Sequence, residues 1–93
     1  MHAAPQSLID EITKIEAQLD DVVNHGSDDD LFIASYLQGH FMVVARPLEV
    51  ETDASVEDLD EGMRKSFTTA FRNRELEEAD QDKVLALWQR LRG

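Results

Sequence analysis

The densest group of metal-ligating side-chain types in the chain is the segment 25–30, His-Gly-Ser-Asp-Asp-Asp. Three carboxylates and an imidazole are competent ligands for a divalent cation. Neighbouring helical residues, however, point about 100° apart, and the spacing lacks the alternating ligands of a calcium loop. The sequence therefore favours a structural interpretation, in which Ser27 caps a helix and Asp28, Asp29 and Asp30 neutralise the positive end of its dipole.

Tyr36 and His40 form a second candidate, since residues four apart lie one above the other on a helix. Beside a buried carboxylate, such a pair would be an acid-base unit. The structural alternative is a histidine that is hydrogen-bonded at the edge of the core. A metal shared with His25 is disfavoured, because a mostly helical segment separates the two imidazoles by roughly 20 Å.

Gly39 lies in the middle of the same predicted helix, where glycine costs about 1 kcal/mol relative to alanine. Its presence indicates either close approach of a ligand or partner, or close packing between helices. The chain has no cysteine and no nucleophile elbow, phosphate loop or paired-histidine zinc motif. We therefore expect a protein that is not an enzyme, with no catalytic residues, no bound metal and no cofactor.

Helical periodicity runs through most of the chain and places these candidates on four helices. Apolar residues recur at steps of three and four, as on one face of a helix, in four groups: Leu8, Ile12, Ile15, Leu19 and Val22; Leu31, Phe32, Ile33, Leu37, Phe41, Val44 and Leu48; Val56, Leu59, Met63, Phe67 and Ala70; Val84, Leu87, Trp88 and Leu91. No strand pattern is present. We predict an all-α fold, a compact antiparallel four-helix bundle or similar helical bundle, as a single domain over residues 7–93 after a frayed lead-in over residues 1–6.

Local signals predict where the helices begin and end. Ser7 and Ser55 precede apolar runs and have an aspartate three residues later, as in a capping pair. The hydroxyl of Ser27 can cap the free amides at the start of the second helix. Gly26 suits the left-handed conformation that often ends a helix. Pro47 lacks an amide donor, and we expect it to end the second helix.

Charge excludes two classes of partner. The 93 residues carry 20 acidic and 9 basic side chains, a net charge of −11. Such a chain cannot grip phosphates, which need lysine and arginine, and it is repelled by anionic membranes. No stretch approaches the roughly 20 apolar residues of a membrane span. Without the apolar segment of a signal peptide near its start, we expect the protein to be cytoplasmic.

The charge is unevenly distributed along the chain. Residues 1–63 carry a net charge of −13, whereas residues 64–93 carry +2. The run 49–61 contains seven acidic residues and no basic one. It is interpreted either as a solvated surface that keeps the protein soluble, or as a docking surface for a basic partner. A weaker alternative is mimicry of nucleic acid, which predicts acidic groups on one face at roughly phosphate spacing.

The segment 25–40 resembles the signature of the YfcL family, a family of small uncharacterised gammaproteobacterial proteins. That signature is His-x-Ser-Asp-Asp-(Glu/Asp)-Leu-Phe followed by Tyr-Leu-x-Gly-His. A second match comprises Glu75, Leu76, Asp80, Gln81, Val84, Trp88 and Leu91. Glu77 departs from the pattern, because a capping serine is expected there, and Pro47 with the acidic loop after it also departs. The resemblance implies a small, cytoplasmic, all-helical bacterial protein and no activity.

The resemblance adds weight to seven residues, without deciding between a site and a folding motif: His25, Ser27, Asp28, Asp29, Tyr36, Gly39 and His40. Together, these observations favour a non-enzymatic interaction or adaptor protein that binds another protein or a second copy of itself. The alternative is a small-ligand or metal-binding module centred on the segments 25–30 and 36–40. Neither nucleic acid nor a membrane is expected as a partner.

Overall fold

The computed structural model describes residues 4–92, which form four helices: α1 (Gln6–His25), α2 (Asp28–Leu48), α3 (Val56–Arg72) and α4 (Glu78–Arg92). Over these residues there is no strand, and the predicted all-α helical bundle is confirmed. None of the helices in this part of the chain combines the length and apolarity that crossing a membrane requires.

The core consists of one apolar face from each helix. The predicted positions on α1, α3 and α4 are largely buried, with Leu8, Phe67 and Trp88 among them. On α2 the prediction was too broad, because Leu31 and Phe32 are exposed. Residues 31–34, which follow the acidic first turn of α2, are all apolar, so periodicity could not fix which of them face the core.

Two of the three predicted helix starts are confirmed in detail. Ser27 at the start of α2 and Ser55 at the start of α3 each accept a hydrogen bond from the backbone N–H three residues later. The carboxylates of Asp30 and Asp58 in turn accept a hydrogen bond from the serine N–H, which completes a capping box at each helix. Both helix starts are therefore encoded locally.

The expectation that Ser7 caps the first helix is wrong. Helix α1 begins at Gln6, and Pro5 occupies the capping position without a side-chain hydrogen bond. Proline suits this end of a helix, because its fixed φ is close to helical and its missing donor is not needed there. Asp10 instead accepts a hydrogen bond from Gln6 Nε2 at 2.8 Å.

The predicted lead-in lies partly outside the described residues, which begin at Ala4. The side chain of Ala4 is buried, and its N–H donates to the Glu49 carbonyl at 2.9 Å. This bond ties the chain ahead of α1 to the end of α2.

Two predictions about helix ends are corrected. Gly26 has a φ of −82° and an extended backbone, so it is not left-handed. It lies at a close approach, since a Cβ there would stand 2.6 Å from the Val22 carbonyl oxygen. Pro47 lies inside α2, which continues to Leu48 because the N–H of Glu49 bonds back to carbonyls of the last turn. Among residues 4–92, Arg74 is left-handed, with a φ of 58°.

Close packing between helices occurs at a different glycine from the one the sequence singled out. A Cβ on Gly62 in α3 would meet Val44 Cγ1 of α2 at 2.7 Å. Gly39, in contrast, faces open space, with nothing within 4 Å of such a Cβ. Helix–helix contact therefore does not explain Gly39.

Candidate functional site

The segment 25–30 does not gather its polar side chains around one point. The His25 ring lies 3.2 Å from the Asp21 carboxylate on its own helix, and Asp30 is used in the capping box. Asp29 binds Lys83 Nζ of α4 at 2.7 Å. Across residues 4–92, no group of three or more acidic, histidine or cysteine side chains could hold a metal ion.

Tyr36 and His40 do come together, and a carboxylate lies beside them. Their ring centroids are 4.6 Å apart. The Tyr36 hydroxyl donates to Glu75 Oε1 at 3.0 Å, and His40 Nε2 lies 3.8 Å from the same oxygen. A hydrogen bond of 2.6 Å joins His40 Nδ1 and Ser66 Oγ. We call Tyr36, His40, Ser66 and Glu75 the polar cluster.

The polar cluster connects three parts of the fold. Tyr36 and His40 come from α2, Ser66 from α3, and Glu75 from the turn between α3 and α4. Partial burial, together with the hydrogen bond to Glu75 and the negative charge of Glu75, raises the pKa of Tyr36 to about 12. The phenol therefore stays protonated and donates its hydrogen bond throughout the neutral range.

The chemistry of the polar cluster is that of a linking network. The His40 side chain is 22% exposed and lies beside the Phe67 ring, so it sits at the edge of the core. The carboxylate that the acid-base interpretation requires is present, but Glu75 is about half exposed and not buried. Both His40 nitrogens have polar neighbours from other elements. The sequence interpretation did not identify Ser66 or connect Glu75 to Tyr36, although the two stretches of family signature meet here.

A cleft of about 360 Å³ lies elsewhere, where α1, α2 and α4 meet. Its lining includes apolar Val22, Ile33 and Leu87 together with Lys83 and Arg90. The cluster residues are not part of that lining. This cleft and the polar cluster are thus in different places, whereas a wider concavity of about 670 Å³ is lined in part by Glu75 of the cluster.

A second surface feature is the outer face of α2, which we define as Phe32, Ser35, Gly39, Met42 and Val43. The exposed fractions of the three large side chains are 50% for Phe32, 47% for Met42 and 74% for Val43. Helical spacing aligns Phe32, Gly39 and Val43, since steps of seven and four return to almost the same side. Residues 31–45 contain no Asp, Glu, Lys or Arg. The outer face is therefore an uncharged strip with large apolar side chains at both ends and a glycine-sized step between them.

Ion pairs fix the two ends of α2 to the other helices. At its start, the hydrogen bond and charge of Asp29 raise the pKa of Lys83 above its ordinary value. At its end, Arg46 bonds to Glu16 of α1 at 2.7 Å and also to Glu49. The hydrogen bond that Arg46 donates to Glu16 is the main cause of a raised pKa of Arg46. Residues 31–45, between these ends, carry no formal charge.

The acidic run 49–61 is largely engaged in the fold's own contacts. Asp58 completes a capping box, and Glu61 pairs with Lys65. Asp60 accepts hydrogen bonds from Arg64 Nε and Trp88 Nε1. These three acidic groups are therefore engaged in contacts within the fold.

The fold and these surfaces define a small all-α protein with a polar cluster at its core's edge and an uncharged outer helix face. The YfcL protein family model matches residues 10–93. The uncharacterized protein YfcL of Escherichia coli (strain K12) is 34% identical over 79 residues, which cover 85% of this chain and 86% of that protein. No solved structure matches the chain. The chain belongs to the YfcL family.

Proposed function

We propose that this protein is a non-enzymatic interaction module that binds a partner protein on the outer face of α2. The observation that carries the proposal is the exposure of Phe32, Met42 and Val43 on a helix segment without formal charge. Large exposed apolar side chains grouped on one face of a helix are typical of interaction sites.

The position of Gly39 also supports a binding site on the outer face of α2. It costs about 1 kcal/mol of helix stability relative to alanine, and no close packing within residues 4–92 requires it. The absence of a side chain there leaves room for another backbone or side chain to approach the helix. This is the partner-approach alternative that the sequence left open for Gly39.

The polar cluster supports a structural role for the family signature. Tyr36 and His40 bond to Glu75 and Ser66, and these contacts fix α2 against α3 and the following turn. They also fix the rotation of α2 about its axis, which decides that Phe32 and Val43 point outward. The signature thus contributes to the interaction surface by orienting it.

Site-specific photo-crosslinking in the native host tests the proposal. A photoreactive residue at Val43 should crosslink to a distinct protein, whereas the same residue at Thr69, exposed on α3, should not. The crosslink at position 43 should disappear when Gly39 is replaced by glutamine. The purified crosslinked protein should then shift the backbone amide signals of Phe32, Gly39 and Val43. Equal crosslinking from positions 43 and 69 would contradict the proposal.

A further inference from the structure

We propose that the partner segment on the outer face of α2 is an amphipathic helix with an apolar middle and basic ends, from another protein. This inference rests on the proposed function and names the chemistry of the partner. It follows from the shape of the outer face and from the charges that border it.

The shape of the outer face fits a helix. From Phe32 to Val43 the strip is about 16 Å long, at roughly 1.5 Å per residue, which matches three turns of a partner helix. Gly39 lies near the middle, with Phe32 on one side and Met42 and Val43 on the other. A side chain built at Gly39 would meet nothing within 4 Å, so a ridge of partner side chains can enter there.

The charges that border the strip are acidic at both ends. Before Phe32, the first turn of α2 carries three aspartates, of which Asp29 is paired with Lys83. Beyond Val43, the one basic residue is Arg46, which is bound by both Glu16 and Glu49. Two carboxylates thus surround a single guanidinium at this end, while the first turn of α2 has an excess of carboxylates over Lys83. Lysine or arginine at both ends of a bound helix would complement this pattern.

The same pattern disfavours a second copy of this chain as the occupant. In an antiparallel pairing, Phe32 would lie on Val43 of the other copy. The aspartates at the start of α2 would then face the end of α2 in the other copy, where carboxylates outnumber bases. Each copy also carries a net charge of −11. Like charges placed opposite each other oppose association.

The inference can be tested with designed peptides and the intact protein. The first probe is a capped helical peptide of about 18 residues, roughly 27 Å long, with leucines at helical spacing in its middle and lysines at both ends. The matched probe has glutamates in place of the lysines. Isothermal titration should show the lysine peptide binding at least about tenfold more tightly, a difference that decreases as salt is added.

Variants locate the binding site. Gly39→Gln fills the step in the strip and should weaken the lysine peptide about tenfold or more. Thr69→Gln, the same side chain on an exposed position of α3, should leave binding unchanged. Gly39→Gln also replaces glycine with a better helix former, so loss of folding does not account for loss of binding.

The contrary outcomes distinguish failure of this inference from failure of the proposed function. Equal or tighter binding of the glutamate peptide would overturn the basic-partner inference, while the proposed function would stand on its crosslinking result. Binding of neither peptide, or binding that Gly39→Gln does not weaken, would overturn the inference that a partner helix binds the outer face of α2. A dimer in sedimentation that Gly39→Gln dissociates would make a second copy the occupant and would also overturn the inference.

Discussion

The indole of Trp88 on α4 donates a hydrogen bond from Nε1 to Asp60 Oδ1 on α3, at 2.9 Å. The same carboxylate binds Arg64 at 2.8 Å and Arg92 at 3.2 Å, and its side chain is 16% exposed. Burial alone would raise the pKa of Asp60, but the hydrogen bonds from Trp88 and Arg64 and the two positive charges hold it below its ordinary value. One carboxylate thus joins α3 to α4.

Replacement of Asp60 by alanine should destabilise the protein by about 1–3 kcal/mol, because the mostly buried indole N–H loses its acceptor. Chemical denaturation followed by the fluorescence of Trp88, the only tryptophan, measures this. Asp53→Ala in the exposed loop is the control and should have little effect. Equal unfolding midpoints for the two variants would contradict the assigned role of Asp60.

Asp60 should also make the stability of the protein depend on pH in the acidic range. Its pKa in the folded state lies below the ordinary 3.8, so the unfolded chain takes up the proton first as the pH falls. The stabilisation is therefore complete above the ordinary pKa and is lost as the pH falls through the folded value. The stability difference between the wild type and Asp60→Asn should shrink below about pH 3.8 in denaturation series.

The two glycines Gly62 and Gly39 should respond in opposite ways to alanine. Gly62→Ala places a methyl group against stiff, β-branched Val44, and we expect a loss of about 1–2 kcal/mol. The methyl group of Gly39→Ala would lie in open space, and this variant should gain up to about 1 kcal/mol of stability from helix propensity. Thermal unfolding of both variants checks this. A Gly62→Ala, Val44→Ala double variant should recover part of the packing loss from the clash, and a fully additive loss would refute the contact.

Arg74 should be replaceable by glycine with a gain in stability. Its φ of 58° is left-handed, a conformation that costs most L-residues about 1–2 kcal/mol. We expect Arg74→Gly to stabilise the protein by about 0.5–1 kcal/mol after the entropy cost of glycine. Arg72→Gly, inside the last turn of α3, is the matched control and should destabilise it. If both variants destabilise the protein, arginine at position 74 adopts the left-handed conformation without strain.

The titration of Tyr36, the only tyrosine, should report its contact with Glu75. Tyrosinate absorbance should show a pKa of about 12 in the folded protein. Because this value exceeds the ordinary 10, the phenol's contribution to stability is complete below pH 10 and is lost as the pH rises toward 12. Glu75→Gln should lower the pKa part of the way, since burial persists. Glu77→Gln should leave the pKa of Tyr36 unchanged. A similar decrease of this pKa in both variants would exclude a specific bond between Tyr36 and Glu75.

Some features that depend on neighbouring residues were predictable from the sequence, although the same serine–aspartate spacing at Ser7 and Asp10 does not form a cap. The capping boxes at Ser27 and Ser55 each need a side chain and an amide three positions apart, so both are visible in the chain. The buried faces of α1 and α3 follow from clear helical periodicity. These predictions required no knowledge of how the helices pack.

Features that depend on packing between helices were not predictable. Because the residues around Phe32 are all apolar, the sequence did not indicate which of them face the core. The rotation of α2 about its axis was therefore not predictable. The bond of His40 to Ser66 joins residues 26 positions apart, and that of Tyr36 to Glu75 joins residues 39 apart. Gly39 and Gly62 both lie within helices, and their surroundings alone distinguish an open position from a close contact.

The position of Pro47 has a consequence for any molecule that covers the end of α2. Proline has no amide hydrogen, so the carbonyl of Val43, four residues earlier, lacks its usual donor within the helix. Water can satisfy that oxygen while Val43 is exposed. A partner that excludes this water must supply a donor of its own or accept a cost of about 1–3 kcal/mol. The carbonyl is thus a single directional anchor point in an otherwise apolar strip, and it favours one alignment of the bound segment along α2 over alignments shifted by a turn.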